Sequence, residues 1–341
     1  MSRSLDSDLL AYLEADDHSK VYKDISAVLT NLPENELLEI EFLGKSHPLQ
    51  PGVNYLRDGT AIAIPKLRLA QAFFVARQLL QAYHKDGRVN SRVNSSEVMA
   101  ATAVLLLMDP EHLTAANTRK RLLISSLKTS RTSELALRRE KQFMDSLLTS
   151  RLYRHAKSPT LWSHRRWLLH LFTVHDVVVD LHHDIKNVVM IAGIRHPRNY
   201  PAWHHARCLV DHDWELAYSI VADAKEFCLK NHTDISSWSF LVYAINKIKN
   251  KEDRRVVGSS VFEEVLGITT SLRWISESVW TFLRTIATVG LISDQQFEFF
   301  LAANKKLASI TPESSDQWKM LDIARHWCEK YRPPTRSKMT E

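Results

Sequence analysis

Residues 155–169 read HAKSPTLWSHRRWLL, and residues 196–210 read HPRNYPAWHHARCLV; laid over one another without a gap, they superimpose Trp162 on Trp203 and His164 on His205. Residues 231–245, NHTDISSWSFLVYAI, join the same frame on Trp238, and residues 274–284, WISESVWTFLR, join it on Trp280. A degenerate copy, MDPEHLTAANTRKR at 108–121, precedes them with Ala116 at the anchor. Anchors at 116, 162, 203, 238 and 280 recur every 35 to 46 residues. That is the length of a helical hairpin plus its loops, the unit of a stacked helical array.

One unit can be read from its punctuation. Asp109-Pro110 and His196-Pro197 stand where a helix starts, since proline is tolerated in a first helical turn and not inside. The anchor tryptophan then falls in the first turns of the second helix. Trp162, Trp167 and Leu169, or Trp238, Val242 and Ile245, approximate one helical face. Arg166 follows Trp162 by four residues and Arg207 follows Trp203 by four, so each guanidinium is expected along its indole, reaching helix-end carbonyls of the next repeat. The preceding helices carry their own apolar spacing at Phe143, Leu147 and Leu148, at Val188, Val189 and Ile191, and at Leu216, Ile220 and Val221. No hairpin can bury such a face alone, so the expected fold is all-α, an α–α superhelix forming a right-handed crescent.

Composition agrees. Of 341 residues only 8 are glycine, none between Arg88 and Ala192, which leaves too few turn residues for a sandwich or a doubly wound sheet. Nine tryptophans suit a core built on a repeated aromatic anchor. Cys208, Cys228 and Cys328 are far apart and form neither a disulfide framework nor a zinc knuckle. Neither a signal-like apolar region at the N-terminus nor an 18-residue apolar run is present, and the chain closes on Lys338-Met-Thr-Glu without a prenyl-acceptor cysteine. A soluble cytoplasmic protein is expected. Residues 1–65 read as an irregular cap, with a helix at Val21–Leu29 ahead of Pro33 and strand-like alternation at 39–43 and 61–64 around Pro48, Pro51 and Gly52; a further helix is expected just after it at Leu69–Tyr83. Residues 66–331 form the repeat domain, and 332–341 a disordered tail.

A formal charge of +6 is unevenly spread. Cations crowd 119–166, from Arg119 and Lys120 to Arg165 and Arg166, against the acids Glu134, Glu140 and Asp145. Such a tract can face phosphate, an acidic partner or water. Sixteen histidines raise a metal reading. Yet His164 and His205 share a repeat position, so their placement follows the fold, and His182-His183-Asp184 reads as solvated. No HExxH, nucleophile elbow, P-loop or GxGxxG occurs.

A proline or its equivalent, then a tryptophan followed by x-His-Arg-Arg or a variant, resembles the repeat of protein prenyltransferase alpha subunits. Residues 162–169, 199–205 and 277–284 look like its second, third and fifth repeats, and 105–120 like its first. Val75–Tyr83 and Val98–Arg121 fit the branch called prenyltransferase alpha subunit repeat-containing proteins. The resemblance implies a partner: a beta subunit that holds the catalytic zinc and the isoprenoid diphosphate, with no cofactor on this chain. It also implies a lysine five residues before the second-repeat tryptophan, here Lys157, that approaches the diphosphate. Trp162, Arg165, Arg166, Asn199, Tyr200, Trp203, Arg207, Trp238 and Trp280 would be repeat-structural. Two positions depart from the family pattern: Pro159 replaces a tyrosine and Pro201 a histidine that helps bind the diphosphate. The fourth repeat reads Phe240-Leu241 where an arginine pair would stand. Three functions compete: a subunit that transfers geranylgeranyl to the cysteine of a small GTPase or similar protein substrate, a non-enzymatic interaction scaffold, and an RNA-binding array. Charge gathered in the first two repeats, without one side-chain set per repeat along a groove, disfavours the RNA reading and leaves no nucleic acid among the expected partners.

Overall fold

A computed structural model describes residues 17–32, 36–44, 47, 49–85, 94–129 and 133–332. The proposed tail beyond Arg332, the segment before Asp17, and Pro33, Pro48 and Arg131 lie outside the described residues. The chain divides into two compact units, Met1–Val179 and Asp180–Glu341.

The first unit begins with α1 (Ser19–Thr30), β1 (Glu39–Leu43), β2 (Leu56–Asp58) and β3 (Ala61–Pro65). The strands form a sheet in the order β1-β3-β2, with β1 parallel to β3 and Ile40 opposite Ile62, and β2 antiparallel to β3. Gly59, at φ 56°, turns the β2–β3 connection in the left-handed region that glycine enters without steric cost. Six helices follow among the described residues of the unit: α2 (Lys66–Lys85), α3 (Ser95–Met108), α4 (Leu113–Thr129), α5 (Ser133–Leu148), the short α6 (Tyr153–Ala156) and α7 (Pro159–Val174). A capping box between Asn94 and Glu97 starts α3. Its length from Ala101 to Leu107 is buried on every side, as an all-round apolar helix must be. The sheet is tied to the repeats by hydrogen bonds: Leu38 N donates to Ser146 Oγ at 3.1 Å, and Gln142 Nε2 to Glu36 O at 2.6 Å. Leu123, Leu137, Leu168 and Phe172 pack α4, α5 and α7 into one core.

The second unit runs α8 (Leu181–Asp184), a π-helical segment (Ile185–Met190), α9 (Ile191–Arg195), α10 (Tyr200–His212), α11 (Glu215–Lys230), α12 (Ile235–Lys247), α13 (Lys251–Ser271), α14 (Glu277–Thr288), α15 (Asp294–Ser309) and α16 (Asp316–Tyr331). Here α12 packs on α10, α14 on α12 and α16 on α14, so the second helices of successive hairpins form a layer. The protein is an all-α helical repeat protein with a small sheet. No helix among the described residues is long and apolar enough to cross a membrane.

Helix starts follow one rule. His112, Ser158, Asn199, Asp234 and Ser315 each accept a backbone N–H from the first turn of their helix, capping α4, α7, α10, α12 and α16. Ser276 opens α14 in the same place, with its hydroxyl donating instead to His232 O, 3.3 Å away in the preceding hairpin. Four residues beyond these caps lie Ala116, Trp162, Trp203, Trp238, Trp280 and Lys319. The last is a sixth unit that the tryptophan pattern hid, because lysine holds its anchor position. Two residues further on, Thr118, His164, His205, Phe240, Phe282 and Leu321 are all buried. The anchor of one repeat meets this second position of the next: Trp203 on Phe240 at 5.1 Å between ring centroids, and Trp238 on Phe282 at 4.9 Å.

Gly258 on α13 shows how tightly the hairpins close, since a Cβ there would lie 2.8 Å from Leu291 Cδ1. Gly258→Ala is expected to destabilise the protein by about 1–3 kcal/mol through overpacking. Trp238→Ala should cost about 3–5 kcal/mol through the cavity it leaves. Chemical denaturation of both variants checks these values, and a neutral Trp238→Ala would contradict the anchor role.

Candidate functional site

Lys157 closes the short helix α6, and its backbone is held from both sides. On one side the buried ring of His155 points Nε2 at Leu106 O (3.1 Å) and Leu107 O (2.8 Å), the carbonyls that end α3. On the other, Trp162 Nε1 donates to Ala156 O at 2.8 Å. Ser158 then caps α7, and Pro159 takes its first position. The proline that departs from the family pattern thus has a local reason, a preset φ at a helix start. Pro201 does the same at the start of α10. The Lys157 ammonium lies 4.6 Å from the centre of the Tyr153 ring, and that ring is 62% exposed. A charge on an aromatic platform keeps much of its hydration while its stem is fixed.

The surroundings are less basic than the tract suggests. Arg154 pairs with Asp109 at 2.9 Å, and Glu111 accepts from the hydroxyls of Ser158 and Thr160. Arg138 pairs with Glu134 at 2.7 Å. Arg119 and Arg165 are buried altogether. Arg119 forks onto Glu140, at 3.0 Å through Nε and 2.5 Å through Nη2, and lies 4.3 Å from the Phe143 ring centre. Arg165 Nε donates to Asp145 Oδ1 at 2.6 Å, and Lys141 reaches Asp145 Oδ2 at 2.7 Å. The expectation of a basic tract turned outward is therefore corrected at these positions. Charge carried into a core must be paired, and α5 supplies Glu140 and Asp145 for that purpose.

These pairs set the protonation of the core. Burial opposes the charged Glu140 carboxylate, but the Arg119 guanidinium and the hydrogen bond from His164 hold it down to about 2. Burial likewise opposes the Asp145 carboxylate, and Arg165 and Lys141 keep it below the usual range. His164, with Nε2 3.0 Å from Glu140 Oε1, is pushed down by burial despite that neighbour. His155 is pushed down to about 4 by burial, against the pull of its two carbonyls.

The remaining sequence-predicted residues fall into place as follows. Asn199 is buried as the cap of α10, and Tyr200 beside it is 60% exposed. Trp162, Trp203, Trp238 and Trp280 are all buried. The indoles of Trp238 and Trp280 donate six residues back, to His232 O (3.1 Å) and Trp274 O (2.9 Å), as Trp162 does. Trp203 is the exception, with an indole N–H that has no partner among the described residues. Its turn enters through Pro197 and through Arg198 at φ 59°. Arg207 does not lie along Trp203: its guanidinium sits 5.6 Å over Tyr243 and donates to Ser239 Oγ at 2.9 Å. The buried arginine behind Trp162 is Arg165, not the half-buried Arg166. The run His182-His183-Asp184 is not solvated throughout, because Asp184 is buried and His182 Nε2 lies 3.0 Å from Asp223.

Three features escaped the sequence reading: the caps four residues before each anchor, the carboxylates Glu140 and Asp145, and the role of His155. A signal was present for the second. Arg119 and Arg165 stand at the same distance, three residues, past Ala116 and Trp162.

Acid should weaken the protein in two stages. His155 is neutral in the fold and has an ordinary value of 6.5, so its contribution is complete above that pH and is lost as pH falls through 6.5 towards 4. It amounts to about 3 kcal/mol. Glu140 contributes above its ordinary 4.5 and loses that contribution as pH falls towards 2. Urea midpoints measured from pH 7 to 3 should decline across both windows. His155→Gln, less stable at pH 7, should flatten the upper window.

The family profile described as "Protein prenyltransferase alpha subunit repeat" matches residues 137–172, the hairpin that carries Lys157 and Trp162. A second profile, "ECM9 middle domain", matches residues 161–263. Protein ECM9 of Saccharomyces cerevisiae is 27% identical over 210 residues, covering 60% of this chain and 55% of that protein. Protein prenyltransferase alpha subunit repeat-containing protein 1 of Homo sapiens is 26% identical over 197 residues, 50% of this chain and 44% of its own length. Its Xenopus laevis counterpart 1-B is 27% identical over 153 residues, 38% and 32% respectively. The chain therefore spans between about a third and just over half of the length of these relatives. It carries a protein prenyltransferase alpha subunit repeat and is similar to the repeat-containing proteins named for that unit.

Proposed function

We propose that this chain is an alpha-type subunit of a heterodimeric protein prenyltransferase, cytoplasmic, with a beta subunit that carries the catalytic zinc and the isoprenoid. The observation that supports this most is the coincidence of the repeat match at 137–172 with the clamped backbone around Lys157, whose ammonium lies over the Tyr153 ring. Negative charge grows on the diphosphate as its bond to the isoprenoid breaks. A cation held ready beside it lowers the barrier without reorganising. His155 and Trp162 supply the rigidity, and Tyr153 supports the lysine without neutralising it. The lipid we favour is geranylgeranyl and the acceptor is the cysteine of a small GTPase or a similar protein.

A non-enzymatic interaction scaffold is the second reading. It is favoured by the internal pairing of Arg119, Arg154 and Arg165, by Pro159 where the family pattern has a tyrosine, and by Pro201 where it has a histidine that helps bind the diphosphate.

Co-expression with each prenyltransferase beta subunit of the same organism separates the two. A one-to-one complex that transfers labelled isoprenoid is the expected result; a chain that stays folded and alone with every beta subunit leaves the scaffold. Within an active complex, Lys157→Ala should slow transfer by roughly ten- to a hundredfold with assembly unchanged. Wild-type rates in that variant would retire its catalytic role.

A further inference from the structure

A groove of about 710 Å³ opens in the first unit between α1 and α5, over the α4 side chains and beside the first turn of α3. Its floor is apolar, with Leu29, Leu122, Leu123 and Phe143 buried beneath it. The one charged pair in the floor is closed on itself: Arg119 is forked onto Glu140 and donates further to Met99 O at 2.8 Å and Thr102 Oγ1 at 3.2 Å. Hydroxyls on the walls are satisfied within their own helices, Ser26 by Lys23 O, Thr30 by Ser26 O and Ser126 by Leu123 O. Glu97 is taken up by the capping box of α3. Nothing in the lining asks for a densely hydrogen-bonding ligand such as a nucleotide or a sugar; burial of apolar surface is what the groove can offer.

The rim adds a sign. Lys23 on α1 and Arg139 on α5 are exposed lining residues, and neither closes an ion pair with a described residue. They stand on two different walls, so positive charge flanks the apolar floor on two sides. A fatty acid carries its charge at one end. An amphipathic helix can carry carboxylates along both edges of its apolar face, and the Tyr22–Thr30 wall is about 12 Å long, two helical turns. We propose that this groove docks an amphipathic helix of a partner protein, with its apolar face against Leu122, Leu123 and Phe143 and its acidic edges at Lys23 and Arg139. The site is independent of the Lys157 reading, since no beta subunit or isoprenoid enters the argument.

Fluorescence anisotropy on the full chain tests it, with labelled synthetic helices of roughly four turns whose leucine stripe is edged by glutamate in one and by lysine in the other. The glutamate-edged helix should bind roughly tenfold or more tightly than the lysine-edged one, and raised salt should narrow the gap. The double variant Lys23→Glu/Arg139→Glu, changed at exposed positions, should reverse the preference. Ala136→Trp, which fills the groove from α5, should abolish both. Equal affinity for the two helices, no binding of the glutamate-edged helix, or binding indifferent to the double reversal would overturn the proposal. So would a result in which dodecanoate binds and the glutamate-edged helix does not, which would make the occupant a lipid.

Discussion

Everything in the repeats hangs on the first turn of the second helix. There a capping side chain satisfies a backbone N–H of its own helix, and the indole four residues later is buried with its N–H returned to the carbonyl six residues back. The cap also reaches the previous hairpin: Ser158 donates to the Glu111 carboxylate, Asp234 accepts from Arg198 N at 3.1 Å, and Ser276 donates to His232 O. Asp234 shows both halves of the arrangement: the helix start is bonded backward to Arg198 while Trp238 packs forward on Phe282. Backbone groups at a helix end would otherwise be buried without partners, which costs as much as the packing gains. Repetition of that one arrangement makes the array.

The two units spend the position three residues past the anchor differently. In the three tryptophan repeats of the second unit it holds Ala206, Leu241 and Leu283, all buried, and the core there is held by apolar contact. In the first it holds Arg119 and Arg165, and α5 answers with Glu140 and Asp145. Buried ion pairs of this kind add little net stability over apolar residues, but their geometry is exacting, because a wrong register would leave an unpaired charge inside. The hairpin that presents Lys157 is built on this more demanding core. Placement of a surface charge relative to a bound group depends on how rigid the backbone under it is, and here His155, Trp162 and the Arg165–Asp145 pair supply that rigidity.

Much of the fold was legible because its signal is local and repeated. Trp162, Trp203, Trp238 and Trp280 carry the frame, and the strand-like alternation at 39–43 and 61–64 carries two of the three strands. The third, Leu56–Asp58, has no such alternation; it exists because β3 offers it an edge. The unit around Lys319 was illegible because its defining feature is the lack of an anchor, and only the cap Ser315 and the buried Leu321 place it. At the candidate site only the family resemblance pointed to Lys157, five residues before Trp162. The sequence could not tell which cations of 119–166 face water, since inside and outside arginines are spelled alike.

By itself the sequence determined that this protein is helical and that it is built of hairpins anchored on Trp162, Trp203, Trp238 and Trp280, because periodicity and anchor spacing act over a few residues; the prolines at 110 and 197 marked helix starts only to within a few residues, since the helices begin at Leu113 and Tyr200. Tertiary structure alone decided which charges survive at the surface. Arg119 meets Glu140 across 21 positions and Arg165 meets Asp145 across 20, pairings that exist only when separate helices are packed and their solvent is gone. It likewise turned Arg207 from Trp203 to Tyr243, and brought α1, α4 and α5 together around an apolar groove edged by Lys23 and Arg139. Desolvation belongs to a place in space, and a side chain's position along the chain does not reveal it.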